Sequence, residues 1–267
     1  MSLTLLPITA LIALVPATIL PFRRTAERDG LFWLVLAVAI AGTGVWVFVI
    51  QSAGWQTGLS TALWLTILTC LILYAALAYW ERDAWRLTPL LLPYLLILGV
   101  LATIWSQVPG KPLAGGAPLA WIGTHILVSV ATYGLITLAA VAALAAAVQD
   151  RALKSKKRTR LAGLLPSVSS SEALLVRLLI TSEIILTLGL ATGMATLYFA
   201  TGDIVVFDHK SSLTIAVFVV LAVLLLLHFK SGVRGRSATR LVLLAYLLLT
   251  LGYPGVKFVT DIILGQS

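Results

Sequence analysis

The chain alternates long apolar runs with short polar interruptions. A helix needs about 20 largely apolar residues to cross the hydrocarbon core of a bilayer. Eight runs approach that length, at about 3 to 21, 31 to 51, 59 to 80, 88 to 105, 119 to 148, 173 to 200, 212 to 229 and 241 to 263. No long alternation of apolar and polar positions competes with them, which argues against a barrel. The pattern predicts an all-α, polytopic integral membrane bundle of eight transmembrane helices. The first run is expected to be a retained helix, because the basic cluster follows the run where a signal peptide carries it in front.

Composition agrees with this reading. Of 267 residues, 60% are hydrophobic and 11% charged, with a mean hydropathy of +1.04. A water-soluble globule cannot bury that much apolar surface.

The net charge of +9 raises the question of nucleic acid, and its distribution answers it. Arg23, Arg24 and Arg28 follow the first run, and Arg82 and Arg86 the third. Arg151, Lys154, Lys156, Lys157, Arg158 and Arg160 follow the fifth, and Lys230, Arg234, Arg236 and Arg240 the seventh. The intervening loops hold only Lys111 and Lys210. Such asymmetry places the four basic loops in the cytoplasm and both termini outside. The run "KSKKRTR" at 154 to 160 is then a topology determinant and a contact for anionic lipid, and no nucleic-acid partner is expected. A multi-pass protein of the bacterial inner membrane is expected.

Several chemistries are excluded. Cys70 is alone, so the chain has no internal disulfide, no cysteine zinc site and no Cys-x-x-Cys-His haem attachment. The glycines of "GKPLAGGAP" at 110 to 118 lack phosphate-loop spacing. No nucleophile, metal-ligand cluster or acid–base pair argues for a self-contained enzyme.

Ionisable groups inside spans are costly and candidate functional sites. Lys257 and Asp261 approach the outer headgroups, where they snorkel or pair. Glu183 enters from the cytoplasmic side to about 15 Å, near the bilayer centre. There it must be neutral or partnered. Arg177, six positions away, lies on another helix face, and Glu183 is read as a hydrogen-bonding group facing the bundle or as a functional acid. His125, in "AWIGTHILVSVATYG" (120 to 134), lies about 9 Å inside the outer end of the fifth span. His209, in the loop "TGDIVVFDHKSS", is on that same side, whereas His228 ends the seventh run at the cytoplasmic face. A neutral imidazole is an axial ligand for haem iron as well as a structural hydrogen-bonder, and the spacing leaves both open.

From about 119 to 263 the order of features resembles the membrane haem-handling proteins of cytochrome c assembly, the CcsA/HemX/YpjD-like group. The resemblance rests on "THILVSVATYG", the basic linker, "LTLGLATGMATLY" (186 to 198), "FDHKSS", "LHFKSGVRGRSATR" and "LGYPGVKFV". The Leu-His pair followed by a Gly-x-Arg-Gly-Arg loop is the most specific piece. The resemblance implies haem ligation near the outer face at His125, a haem-related or structural role for His228, and an Asp-x-Lys element at Asp208 and Lys210. Two departures stand out: the loop at 199 to 211 lacks the family's tryptophan-rich segment, and no outer histidine follows the last span. His209 stands where the family usually has proline and is the available second ligand. The chain is similar to the shorter branch of the family, and residues 1–118 carry no matching motif.

The resulting expectation is an inner-membrane haem-binding or haem-relay protein of cytochrome c assembly, holding a non-covalent haem b near its outer face and working with other assembly proteins. The alternatives are a permease-like transport subunit in which Glu183 marks the path, and a structural or regulatory membrane partner.

Overall fold

The structure is a computed structural model that describes residues 6–23, 27–52, 56–108, 111–112, 117–156, 159–203, 206 and 208–263. For residues 56, 57, 107, 111, 112, 209, 210 and 261 it describes the backbone alone.

Among the described residues, eight helical spans are long and apolar enough to cross a membrane. They are built on α1 (Leu6–Arg23), α2 (Gly30–Ser52), α3 (Leu59–Trp80), α4 (Thr88–Ile104), α5 (Leu119–Ser155), α7 (Val168–Thr201), α8 (His209–Ser231) and α9 (Arg236–Thr250), the fourth span starting at Ala84 ahead of α4 and the eighth continuing past α9 to Thr260. A short helix, α6 (Arg160–Leu164), bridges α5 and α7. The chain is thus an all-α polytopic bundle. The one β feature among the described residues is a ladder pairing Gln56–Thr57 with Lys111–Pro112.

Sequence periodicity places the spans but not all of their ends. The helix α5 runs 37 residues, past the expected end near 148. Its last turns lie in the basic segment, where Lys154 pairs with Asp150 at 2.6 Å. The helix α7 starts at Val168, before the apolar run begins, because Ser167 caps it by accepting from the Ser170 N–H. Beyond α9 the last span continues as π-helix over Leu251–Gly255, around Pro254, which cannot donate to a regular ladder.

Within the spans, hydroxyls bond their own helix. Thr18, Thr43, Thr66, Thr132, Thr137 and Ser182 each donate to the carbonyl four residues back. Each of these six hydroxyls is satisfied without water, as the hydrocarbon region requires.

The helix α5 is central. Ala139, Ala140, Ala142, Ala143, Ala145 and Ala146 are all buried, and such small side chains let neighbouring backbones approach closely. It packs on α7, α3 and α9, while α1 packs on α2 and α4. One apolar core includes residues from both halves of the chain, from Leu14 and Trp64 to Leu178 and Val242. A hydroxyl cluster joins the halves deep in the bundle: Tyr94 bonds Tyr246, and Tyr133 bonds Thr250 at 3.0 Å.

The basic loops gather at one end, hereafter the basic end. Arg28 donates to the Tyr79 carbonyl, Arg160 to the Phe22 carbonyl, Arg177 to Glu81, Ser170 to Asp83 and the Gly235 N–H to Glu172. These bonds tie all four basic connections together. At the opposite end, Trp105 meets Phe258 and Trp121 meets Phe199 edge to face or tilted.

Candidate functional site

The α5–α7 contact narrows towards the end opposite the basic loops, because α7 presents glycines to α5 at one-turn spacing. A Cβ on Gly189 would sit 3.5 Å from Val128 Cγ1, and one on Gly193 only 3.0 Å from His125 Cε1. Gly189 and Gly193 form a Gly-x-x-x-Gly pair of the kind that lets helices close in a membrane. The half-buried imidazole of His125 therefore lies directly against the α7 backbone.

The neighbouring Thr192 fixes the ring. His125 Nδ1 lies 3.2 Å from Thr192 Oγ1. That hydroxyl has one proton, and it is directed at the carbonyls of Leu188 (2.9 Å) and Gly189 (3.1 Å). With its proton on those carbonyls the oxygen accepts towards His125, an arrangement that assigns the ring proton to Nδ1 and the lone pair to Nε2. A hydrogen bond from Nδ1–H to a neighbouring oxygen is how ligating histidines are commonly held.

One turn outward on α5, Trp121 shares the His125 face. Its ring centroid is 6.1 Å from that of Phe199 on α7, tilted by 34°, and Phe199 touches Tyr198. All three rings are exposed at the bundle surface. Together they form an aromatic shelf beside the imidazole. Aromatic rings at a membrane interface are common for their own sake, and these three expose an apolar aromatic surface at this end of the α5–α7 pair.

The remaining candidates are dispersed. His228 closes α8 at the basic end, where its Nδ1–H donates to the Val233 carbonyl at 3.0 Å. Gly232 and Gly235 adopt positive φ there, and Glu172 accepts from the Gly235 N–H at 3.2 Å. A small open cleft lies between His228, Glu172 and Thr239. His228 thus braces a loop at the far end from His125.

Asp208 is the N-cap of α8, accepting from the Ser211 N–H at 2.7 Å. The side chains of His209 and Lys210 lie outside the described residues. Among the described residues no three of His, Cys, Asp and Glu come together as a metal cluster.

Glu183 departs from the expectation of a hydrogen-bonding group. Both carboxyl oxygens are enclosed, and neither has a hydrogen-bond partner among the described residues. The reason is the rotation of α7. The row Leu179, Ser182, Leu186 and Gly189 is buried and faces inward, while Glu183 stands beside it, next to the exposed Ile184. As expected, Arg177 is not its partner; it pairs with Glu81 instead.

The family described as "Cytochrome C assembly protein" matches residues 31–264. The chain belongs to that family. The match reaches well beyond the C-terminal half and takes in the first four helices apart from α1. The chain is also 54% identical, over 263 residues and 97% of each chain, to an "Uncharacterized 28.8 kDa protein in nifR3-like 5'region" of Azospirillum brasilense. No solved structure matches the chain. Family and fold together give a multi-pass membrane protein with a role in cytochrome c biogenesis.

Thr192, Gly193, Trp121 and Phe199 were not singled out by sequence. The signal that could have found Gly193 is the spacing Gly189-x-x-x-Gly193, which marks the α7 face that meets another helix.

Proposed function

We propose that the protein binds or relays haem during cytochrome c assembly, with His125 as an axial ligand at the end opposite the basic loops. One observation carries the reading: the Thr192 hydroxyl, bonded to its own helix, lies 3.2 Å from His125 Nδ1, which assigns the proton to that nitrogen and leaves the Nε2 lone pair for iron, one turn along α5 from the Trp121–Phe199 pair. That donor set fits a haem, which takes one imidazole nitrogen per face and an apolar aromatic surface, better than a chelated ion.

Positive-inside asymmetry puts this end on the outer side of the bacterial inner membrane. When bound, haem supplies the iron and the prosthetic group that cytochrome c receives. The chain's own residues orient one imidazole, fix its proton and shield one face from lipid. His209 is the proposed second ligand. Ligation to an apocytochrome falls to partner assembly proteins.

The test is a spectrum of the detergent-purified protein with haem added. His125→Ala should abolish or shift the Soret band, and imidazole should restore it by filling the vacancy. Identical spectra with and without His125 end the proposal. A reporter fused after Ser267 tests sidedness separately, and cytoplasmic activity there would reverse it.

A second reading has its own observation. The enclosed, unpartnered carboxyl of Glu183 fits a proton- or solute-coupled path, since an intramembrane acid is by default a functional candidate. Flux abolished by Glu183→Gln at normal protein level, in a colourless protein, selects that reading over haem.

A further inference from the structure

Among the described residues, Glu183 is the one ionisable side chain whose polar atoms are both enclosed and without a hydrogen-bond partner. Its neighbours explain why. The nearest hydroxyls along α7 are committed to their own helix: Thr181 donates to the Arg177 carbonyl, Ser182 to Leu178, and Thr187 to the carbonyl of Glu183 itself. The helix α8, which packs on α7, is apolar from Ile215 to Leu227. An ionised carboxylate with no hydrogen bond and no countercharge is costly in such surroundings, whereas the acid form carries its proton as a covalent O–H.

Helical register shows which end the carboxyl communicates with. On a helix of 3.6 residues per turn, Glu172, Val176, Leu179 and Glu183 fall within about 60° of one another around α7. Glu172 and Val176 line the small cleft at the basic end, together with His228, Arg234 and Thr239. Glu183 therefore stands at the inner end of a row that begins in that cleft. Along the axis it lies about 9 Å beyond Arg177, which pairs with Glu81 at the basic end. Gly193, beside His125, is about 15 Å away in the other direction. We infer that Glu183 is a proton-binding site, filled and emptied from the basic end through the cleft between α7 and the α8–α9 loop.

The donor set selects the ligand. One carboxyl does not make a cage for a cation such as calcium, which takes about 6–8 oxygens, and no metal cluster of His, Cys, Asp and Glu forms among the described residues. A proton needs one oxygen and no cavity. The titratable and charged groups facing the row are those of the cleft. Glu172 accepts from the Gly235 N–H, His228 gives its Nδ1–H to the Val233 carbonyl and keeps an Nε2 lone pair, and Arg234 is exposed at the mouth. The mouth thus offers a carboxylate and an imidazole nitrogen as proton acceptors, with Val176 and Leu179 between them and Glu183. The inference deepens the transport reading of Glu183 by naming its ligand and its side, and it is independent of haem.

The haem-free protein in lipid nanodiscs tests it by infrared difference spectroscopy. The expected result is the carbonyl band of a carboxylic acid free of hydrogen bonds, absent in Glu183→Gln, which moves to lower frequency when water is exchanged for heavy water. Val176→Trp, which fills the row, should slow that move by about tenfold or more, whereas Ile180→Trp on the exposed face should not. Val176→Thr, which adds a hydroxyl without bulk, should speed it, so the route is read even where the tryptophan variant fails to fold. No such band, a band that persists in Glu183→Gln, a band that heavy water never moves, its loss on adding sodium, or a rate indifferent to the Val176 substitutions would each overturn the assignment. Coupled flux lost in Glu183→Gln without the acid band would keep the transport reading and remove this one; the band without flux would do the reverse.

Discussion

The two histidines with described side chains, His125 and His228, are held by the same atom and in opposite ways. Each donates from Nδ1, His125 to the Thr192 hydroxyl on another helix and His228 to the Val233 carbonyl five residues on. The His228 bond is local and closes a turn, together with the backbone bonds from Gly232 to the His228 carbonyl and from Val233 to the Leu227 carbonyl. That is the pattern of a helix C-cap, and it accounts for the imidazole without a ligand. The His125 bond joins helices 67 positions apart in sequence, at a place where α7 has dispensed with side chains to admit the ring. A histidine built into a turn is explained by the turn. One for which a helix–helix contact has been thinned is not explained by local structure, and its second nitrogen is where the proposed haem iron would bind.

The comparison breaks most sharply at the two histidines themselves. His125→Ala should remove most of the bound haem, by tenfold or more on the about 10–100-fold scale of disturbing a ligand set, whereas His228→Ala should leave the Soret band in place. Titration of both purified variants with haem decides this. A loss in His228→Ala equal to that in His125→Ala would erase the distinction between them.

Next in size is Gly193→Val. A Cβ there meets His125 Cε1 at 3.0 Å, and two further methyls force α5 and α7 apart. Overpacking of this kind costs about 1–3 kcal/mol, read as a lower midpoint of thermal unfolding in detergent, together with weaker haem binding. The corresponding insult at the basic end, Gly235→Val, meets open space but an unfavourable positive φ. It should destabilise by about 1 kcal/mol or more, with haem affinity unaffected.

Thr192→Val tests the proton assignment alone. It keeps the shape of the side chain and removes the acceptor, so the ring loses its fixed tautomer while the helices stay packed. Haem affinity should fall by about tenfold with the melting midpoint little changed. Thr192→Ser, which restores the oxygen, should recover most of it. A fall in stability without a fall in affinity would make Thr192 a packing residue only. The smallest effect is expected for Glu172→Gln at the basic end. The amide oxygen still accepts from the Gly235 N–H, and the change should stay within about 0.5 kcal/mol.

What the chain alone determined was everything governed by transfer from water to hydrocarbon. Apolar run length and the Lys/Arg asymmetry require neither contacts nor register, so the eight spans and the gathering of the basic loops were readable directly, as was the depth of His125 and Glu183 along their helices. What lay beyond this reading is rotation about the helix axis. Spans that are apolar all round carry little periodic signal for which face meets a neighbour, and one residue shifts a side chain by about 100° on a helix of 3.6 residues per turn. Only packing decided that Gly189 and Gly193 face α5, that Thr192 reaches His125, and that Glu183 falls just beside the buried row of α7 with its carboxyl unpartnered. The ends of helices were likewise tertiary: α5 runs on into the basic segment and α7 starts early at Ser167, because caps and loop-to-loop bonds operate where the apolar pattern has already stopped.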